Sequence, residues 1–175
     1  MSIEVDTLTE ADIKRRLGAD NFVGGIKYIG DGSVNPVKLL QKIRSKIETI
    51  GSVDFKEYQE VHQIETLAGG NKLVLTEKEK IEASMVVMAT NGYSSTLHPY
   101  FKDKITPTKG QILITEPLTE RFMEGPCYAN FVLDYFRQLP SGELLIGGFR
   151  QLEKDSQEGF SDHTTEQVQE ALFAF

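Results

Sequence analysis

The segment "NPVKLLQKIRSKIETIG" constrains the fold more than any other stretch. Asn35 can cap a helix, Pro36 occupies its first turn and Gly51 follows its last. Val37, Leu40, Ile43, Ile47 and Ile50 recur at helical spacing, which predicts one buried face. Lys38, Lys42 and Lys46 fall on the solvent side. Around this helix the texture is mostly β. Ahead of it, "LTEADIKRRLG" predicts a short helix: Thr9 caps, Asp12 stands three residues on, Leu8 and Ile13 form a staple, and Gly18 supplies the left-handed stop. "FVGGIKYIGDGS" predicts a strand feeding a glycine-rich turn. Behind the helix, Val53 and Phe55 alternate, Val61 and Ile64 lie on the next stretch, and "LAGGN" predicts a hairpin turn. "KLVLT" and "KIEA" continue a meander that "SMVVMA" closes, with Met85 to Ala89 apolar on both faces like a parallel strand covered on both sides.

After His98-Pro99, "GQILITEPL", "CYANFVLDYFRQLP" and "GELLIGGFR" predict an antiparallel sheet of at least three strands. "SDHTTEQVQEALFAF" predicts a helix capped by Ser161 or Thr164. It stops on an apolar Phe175 without a cap, which reads as a chain cut before its natural end. The class is therefore α+β, and 175 residues suit one full domain or two incomplete lobes.

Lys+Arg number 19 against Asp+Glu 26, a net charge of −7, which argues against nucleic acid or an anionic membrane surface as the main partner. No apolar run approaches the roughly 20 residues a membrane span needs. The acidic opening "MSIEVDTLTE" lacks the basic and apolar blocks of a signal peptide, so a soluble cytoplasmic protein is expected. Cys127 is the only cysteine, which excludes an internal disulfide and a thiolate zinc cluster, and His62, His98 and His163 are scattered. No metal is expected.

"MVVMATNGYSS" raises the functional question, because an apolar run leaves through a turn made of small side chains, as a backbone lying close to a ligand would require. This stretch, with three others, resembles the glycine oxidase and D-amino-acid oxidase family of FAD-dependent amine oxidoreductases, and within it the gamma-glutamylputrescine-oxidase-like branch. "GGIKYIGDGSVNPVKLLQKI" is similar to the family's GG, dGxhdP turn and helix. "ITPTKGQILITEPL" is similar to its PxxGQ-strand-TePL segment, and "YFRQLPSGELLIGG" to its YxRxxpdGrLLxGG hairpin. The four stretches span about residues 24 to 148 in the family's order. The sequence departs from the family in having no G-x-G-x-x-G, whose helix N-terminus holds the FAD pyrophosphate, and no segment closing over the flavin. The resemblance is thus to the middle of such an enzyme, and the isolated chain is expected to be inactive and to hold FAD weakly.

The resemblance implies a partial FAD-binding lobe over 33–98, helix plus β-meander. It is joined to a partial substrate-binding antiparallel sheet over 1–32 and 99–175. It implies that Ala89, Thr90, Asn91 and Gly92 pass beside the ADP half of FAD; the plainer alternative is a tight exit from a strand. Val61 would offer backbone groups to the adenine, or be a core valine. Gly110 and Gln111 would lie near the isoalloxazine, or form a plain connector. Strand alternation puts Tyr135 and Arg137 on one face, with Phe136 and Gln138 on the other. In the family such a face meets substrate, and an arginine fork suits a carboxylate; the alternative is a solvent-facing strand. His98 is set aside as a general base, since the flavin supplies the chemistry, and Cys127 is expected to be a small buried or half-buried thiol rather than a flavin-linking residue. The implied function is oxidation of an amine or amino acid, with hydride leaving Cα for flavin N5 and the imine hydrolysed. The alternatives are a non-catalytic α+β binding or interaction module, or a relative that oxidises a hydroxy acid. Exposed sheet edges would favour a homo-oligomer.

Overall fold

The computed structural model describes residues 3–131 and 133–175; Met1, Ser2 and Val132, the last inside the predicted β segment "CYANFVLDYFRQLP", lie outside the described residues. The chain divides into two compact units: Met1–Leu40, Gly110–Glu153 and His163–Phe175 form the first, and Gln41–Lys109 with Lys154–Asp162 the second.

The first unit opens with β1 (Val5–Thr9), α1 (Glu10–Leu17) and β2 (Gly24–Tyr28), the two strands pairing antiparallel from Val5↔Tyr28 to Thr9↔Gly24. The local signals for α1 hold. Thr9 Oγ1 accepts from the Asp12 N–H, the Asp12 carboxylate accepts from the Thr9 N–H at 3.0 Å, and Gly18 ends the helix at φ 69°. Hydrogen bonds from the Thr9 side chain and backbone, then Arg15, lower the Asp12 pKa from 3.8 to about 2. β1 has no counterpart in the sequence reading, because four of its five side chains are exposed and only backbone pairing defines it.

The main sheet of this unit is antiparallel, in the order β6 (Gln111–Ile114), β9 (Leu144–Gly148), β8 (Asp134–Gln138), β7 (Cys127–Ala129). That meets the expectation of at least three strands. α4 (Glu166–Ala174) packs on β6 and β9 and buries Val168 and Leu172 completely, one helical turn apart. Its cap differs from the expected Ser161 or Thr164. Thr165 is the cap position, and the Gln111 carboxamide oxygen accepts from the Thr165 N–H at 3.0 Å. A side chain distant in sequence thus supplies the acceptor. Gln138 anchors the β6–β7 connection: its carboxamide accepts from the Phe122 N–H at 3.1 Å and donates to Glu120 O at 2.7 Å.

The second unit holds the meander β3 (Val61–Thr66), β4 (Lys72–Thr76), β5 (Lys80–Ala83), closed at the predicted "LAGGN" turn by a Leu67 N–H bond to Asn71 O of 2.8 Å, with Gly70 at φ 89°. Two predicted strands are absent. Val53–Phe55 is irregular, and Phe55 instead lies under the Arg44 guanidinium, 5.0 Å from its ring centre. Met85–Ala89 forms no strand: no described strand pairs with it, and Met85 and Val87 are 77% and 82% exposed. A strand needs a pairing neighbour, and an apolar one needs cover on both faces, which an apolar pattern cannot guarantee. The helix α2 (Pro36–Glu48) forms where predicted, with the Asn35 side chain accepting from the Lys38 N–H at 3.0 Å, and Gly51 following it at φ 71°. Its apolar face, expected to be buried, is open. None of its residues is buried, Leu40 is 64% exposed, and among the described residues no strand or helix packs along it.

Candidate functional site

The register of the four-stranded sheet assembles the site in the first unit. Ile112, Gly147, Tyr135 and Tyr128 face one another across β6, β9, β8 and β7, and the next same-face row is Ile114, Leu145 and Arg137. Tyr135 and Arg137 therefore share a face, while α4 packs against the sheet through β6 and β9. Ile112, Ile114 and Tyr128 are exposed, so the Tyr135–Arg137 face is open.

Arg137 is half-buried, and among the described residues its guanidinium has no hydrogen-bond or ion-pair partner. The other half-buried arginines do: Arg16 meets Glu124 at 3.6 Å, and Arg44 meets Glu48 at 2.9 Å. Glu124 also takes the Lys27 ammonium, whose hydrogen bond and charge, with Arg16 behind them, hold its carboxyl below the usual range. Those two cations are thereby neutralised and Arg137 is not. Arg137 also borders an open cleft of about 1970 Å³, but Phe136, which meets Phe22 and Phe175, stands on the opposite face of β8 from Tyr135 and Arg137. The arrangement can bind an anion at the guanidinium.

Asp134, fully buried, fixes the start of β8. Its carboxylate accepts from the Phe149 N–H at 2.8 Å and from the Asn130 amide at 2.6 Å. Both donors belong to residues in the left-handed region, Phe149 at φ 56° and Asn130 at φ 49°. The charge-assisted bonds offset a conformation that non-glycine residues seldom adopt. Cys127 is half-buried and burial pushes its thiol pKa up, which makes it a poor nucleophile.

Gly110 begins the second segment of the first unit, with free space where a side chain would stand, whereas the Gln111 side chain is engaged: it donates to Thr165 Oγ1 at 2.8 Å and accepts from the Gln169 amide at 3.0 Å. In the second unit, Val61 begins β3, an outer strand whose backbone edge away from β4 has no strand partner among the described residues. Ala89 and Thr90 lead into a 3₁₀ turn, Asn91–Tyr93, and then α3 (Ser94–Leu97). Their small side chains have local uses. Thr90 Oγ1 and Ser94 Oγ share a 2.9 Å hydrogen bond, Ser94 Oγ donates to Asn91 O, and a methyl group on Gly92 would press on Pro107 Cβ at 3.3 Å. His98 is occupied as a cap, its Nδ1 accepting from the Tyr100 N–H at 3.2 Å.

The sequence reading did not single out Tyr128, Asp134 or Gly147. Hairpin register would have placed Tyr128 opposite Tyr135, but the loop joining β7 and β8 has no turn signal that fixes it.

Residues 1–175 match the family described as FAD dependent oxidoreductase, DAO. The chain belongs to this family. It is 29% identical over 154 residues to the probable oxidoreductase OrdL of Haemophilus influenzae, covering 82% of this chain and 35% of that one. It is 26% identical over 153 residues to gamma-glutamylputrescine oxidoreductase of Escherichia coli K12, covering 83% and 35%. The chain thus spans about a third of the length of the curated relatives it matches. Among solved structures, L-proline dehydrogenase from P. horikoshii superposes with a TM-score of 0.79 at 18% identity over 99% of this chain and 47% of that one. Glycine oxidase from Geobacillus kaustophilus gives 0.73 at 18% identity, over 99% and 45%. Both likenesses show the fold, in agreement with the α+β class expected from sequence. Among the described residues no helix is long and apolar enough to cross a membrane, and no group of metal ligands is present.

FAD is the cofactor of this DAO-family domain, and the residues present fit it in part. The β3 edge offers backbone donors and acceptors of the kind an adenine needs. The sequence holds no G-x-G-x-x-G for the two phosphates, and the glycine-bearing turn Gly30–Asn35 that enters α2 ends in the Asn35 carboxamide, which already takes an α2 N–H.

Proposed function

We propose that this chain is the substrate-seating part, with some of the cofactor-binding part, of an FAD-dependent oxidoreductase acting on an amine or amino acid. The observation that carries this reading is the half-buried, unpartnered Arg137 guanidinium on the same open face as Tyr135. In this reading the sheet lobe, 1–32 with 99–175, seats the substrate, and 33–98 contributes to the FAD side. Arg137 takes a substrate carboxylate in a bidentate fork and Tyr135 supports it. Val61, Ala89, Thr90, Asn91, Gly92 and Gly110 face FAD through backbone groups, and Gln111 holds the start of β6 in place. FAD, when bound, would supply the hydride acceptor for oxidation at the substrate Cα, and the imine so formed would be hydrolysed. A cytoplasmic location accords with the acidic composition.

The experiment is to mix the complete gene product with an amino acid, its decarboxylated amine and the matching hydroxy acid without oxygen, following the flavin absorbance. Bleaching by the amino acid ahead of the other two is expected; bleaching by the hydroxy acid alone overturns the reading.

Self-association of the 175-residue chain is part of the same reading. The open α2 face, with Val37, Leu40 and Ile43, and the outer strands β3 and β5 are surfaces that recruit another copy. Light scattering at on the order of tens of micromolar should give a mass above the monomer. A clean monomer there would remove the homo-oligomer.

A further inference from the structure

We infer that Gly147 is a positioning residue for Tyr135, and through it a determinant of how the substrate is held. This rests on the reading above that the Tyr135–Arg137 face meets substrate. Tyr135 and Gly147 are direct partners across β8 and β9, and the Tyr135 ring lies back over Gly147. A methyl group on Gly147 would fall within 3.0 Å of Cζ, Oη and Cε2 of that ring, closer than real Cβ contacts come. The glycine is therefore the floor on which the phenol rests. Its neighbour plays a different part. Gly148 stands at φ 137°, and a methyl group there would meet the Asp134 carboxylate, Asp134 Cα at 2.8 Å and the Leu133 carbonyl at 2.9 Å. That obstruction includes backbone and cannot be relieved by a side-chain rotation.

At Gly147 the three nearest atoms that a methyl group would meet all belong to the far end of one side chain. Gly147→Ala therefore keeps the sheet and displaces the phenol, whereas Gly148→Ala breaks the bend that Asp134 holds. Displacement matters because Tyr135 and Arg137 are two residues apart on one strand face, so a substrate gripped by Arg137 passes the phenol. Among the described residues the Tyr135 hydroxyl has no hydrogen-bond partner, which leaves it available to a ligand. The two glycines of "LLIGG" thus divide the work: one seats the phenol and the other accommodates the Asp134 carboxylate.

The test is a double-mutant cycle in the complete gene product with Gly147→Ala, Tyr135→Ala and the pair, read as KM, kcat and Tm. Gly147→Ala should raise KM for a carboxylate-bearing amine roughly three- to tenfold with kcat changed less than about twofold. It should add no further rise in the Tyr135→Ala background, and its Tm penalty should shrink there, since the added methyl then has room. Equal Tm penalties in both backgrounds would show that the ring does not rest on Gly147 and overturn the inference. Coupled Tm values with KM unmoved would also overturn it, by showing that the phenol does not meet substrate. Neither result touches the assignment of Arg137, which fails only if its own substitution is silent.

Discussion

Arg137→Ala in the complete gene product should lower kcat/KM by about ten- to a hundredfold while the bound flavin stays at its normal level. A charge-assisted contact contributes roughly 1.5–3 kcal/mol, and its loss enters kcat/KM directly. The size follows from the surroundings. Arg16 and Lys27 share Glu124, and Arg44 holds Glu48 and Glu57, so those side chains cannot replace the missing fork. Arg137 is half-buried, where a bound carboxylate would be less screened than at an open surface. Arg137→Lys should recover only part of the loss, because an ammonium keeps the charge but not the two parallel donors. The measurement is steady-state kinetics at matched flavin occupancy; an unchanged kcat/KM for Arg137→Ala removes this residue from the site.

The 175-residue chain alone should purify colourless and bind added FAD no more tightly than roughly millimolar. Its contacts to the adenosine end would come from the β3 edge and the Ala89–Gly92 backbone, neutral groups worth about 0.5–1.5 kcal/mol each. The phosphates carry the charge of FAD, and the sequence lacks the G-x-G-x-x-G turn whose helix N-terminus would receive them. Thr90, Asn91 and Ser94 are bonded to one another, which reduces what the turn can offer a ligand. Two or three weak contacts do not offset the several kcal/mol lost in immobilising a dinucleotide. Oxidase activity should be absent for the same reason. Gel filtration of the chain with FAD checks it: a flavin band that travels with the protein contradicts this expectation.

What could be read from the sequence was what short-range chemistry determines. The Thr9–Asp12 box and Gly18 specify α1 from within the helix and its two ends, and "LAGGN" closes its hairpin by its own backbone. The sheet of the first unit was legible because Pro and Gly breaks separate its strands. Elements defined by distant partners were not. Met85–Ala89 is apolar enough for a buried strand, but burial depends on which chains lie beside it. The α2 face fails the same test: its periodicity is correct and its cover is absent among the described residues. The α4 cap comes from Gln111, more than fifty residues earlier, where spacing rules have no reach. At the site, alternation gave the Tyr135–Arg137 pair, since that needs only one strand. Tyr128 and Gly147 required the register of three, and a glycine whose role is to leave room for another residue's ring carries no signal in a single sequence.

The measurement that tests the central claim most directly is reduction of the flavin by substrate without oxygen, in the complete gene product and its Arg137→Ala variant. An amino acid should bleach the wild-type flavin, its decarboxylated amine should do so more weakly, and the variant should lose most of that preference. A flavoprotein bleached only by hydroxy acids, or one whose preference for the carboxylate survives the loss of Arg137, would contradict the account.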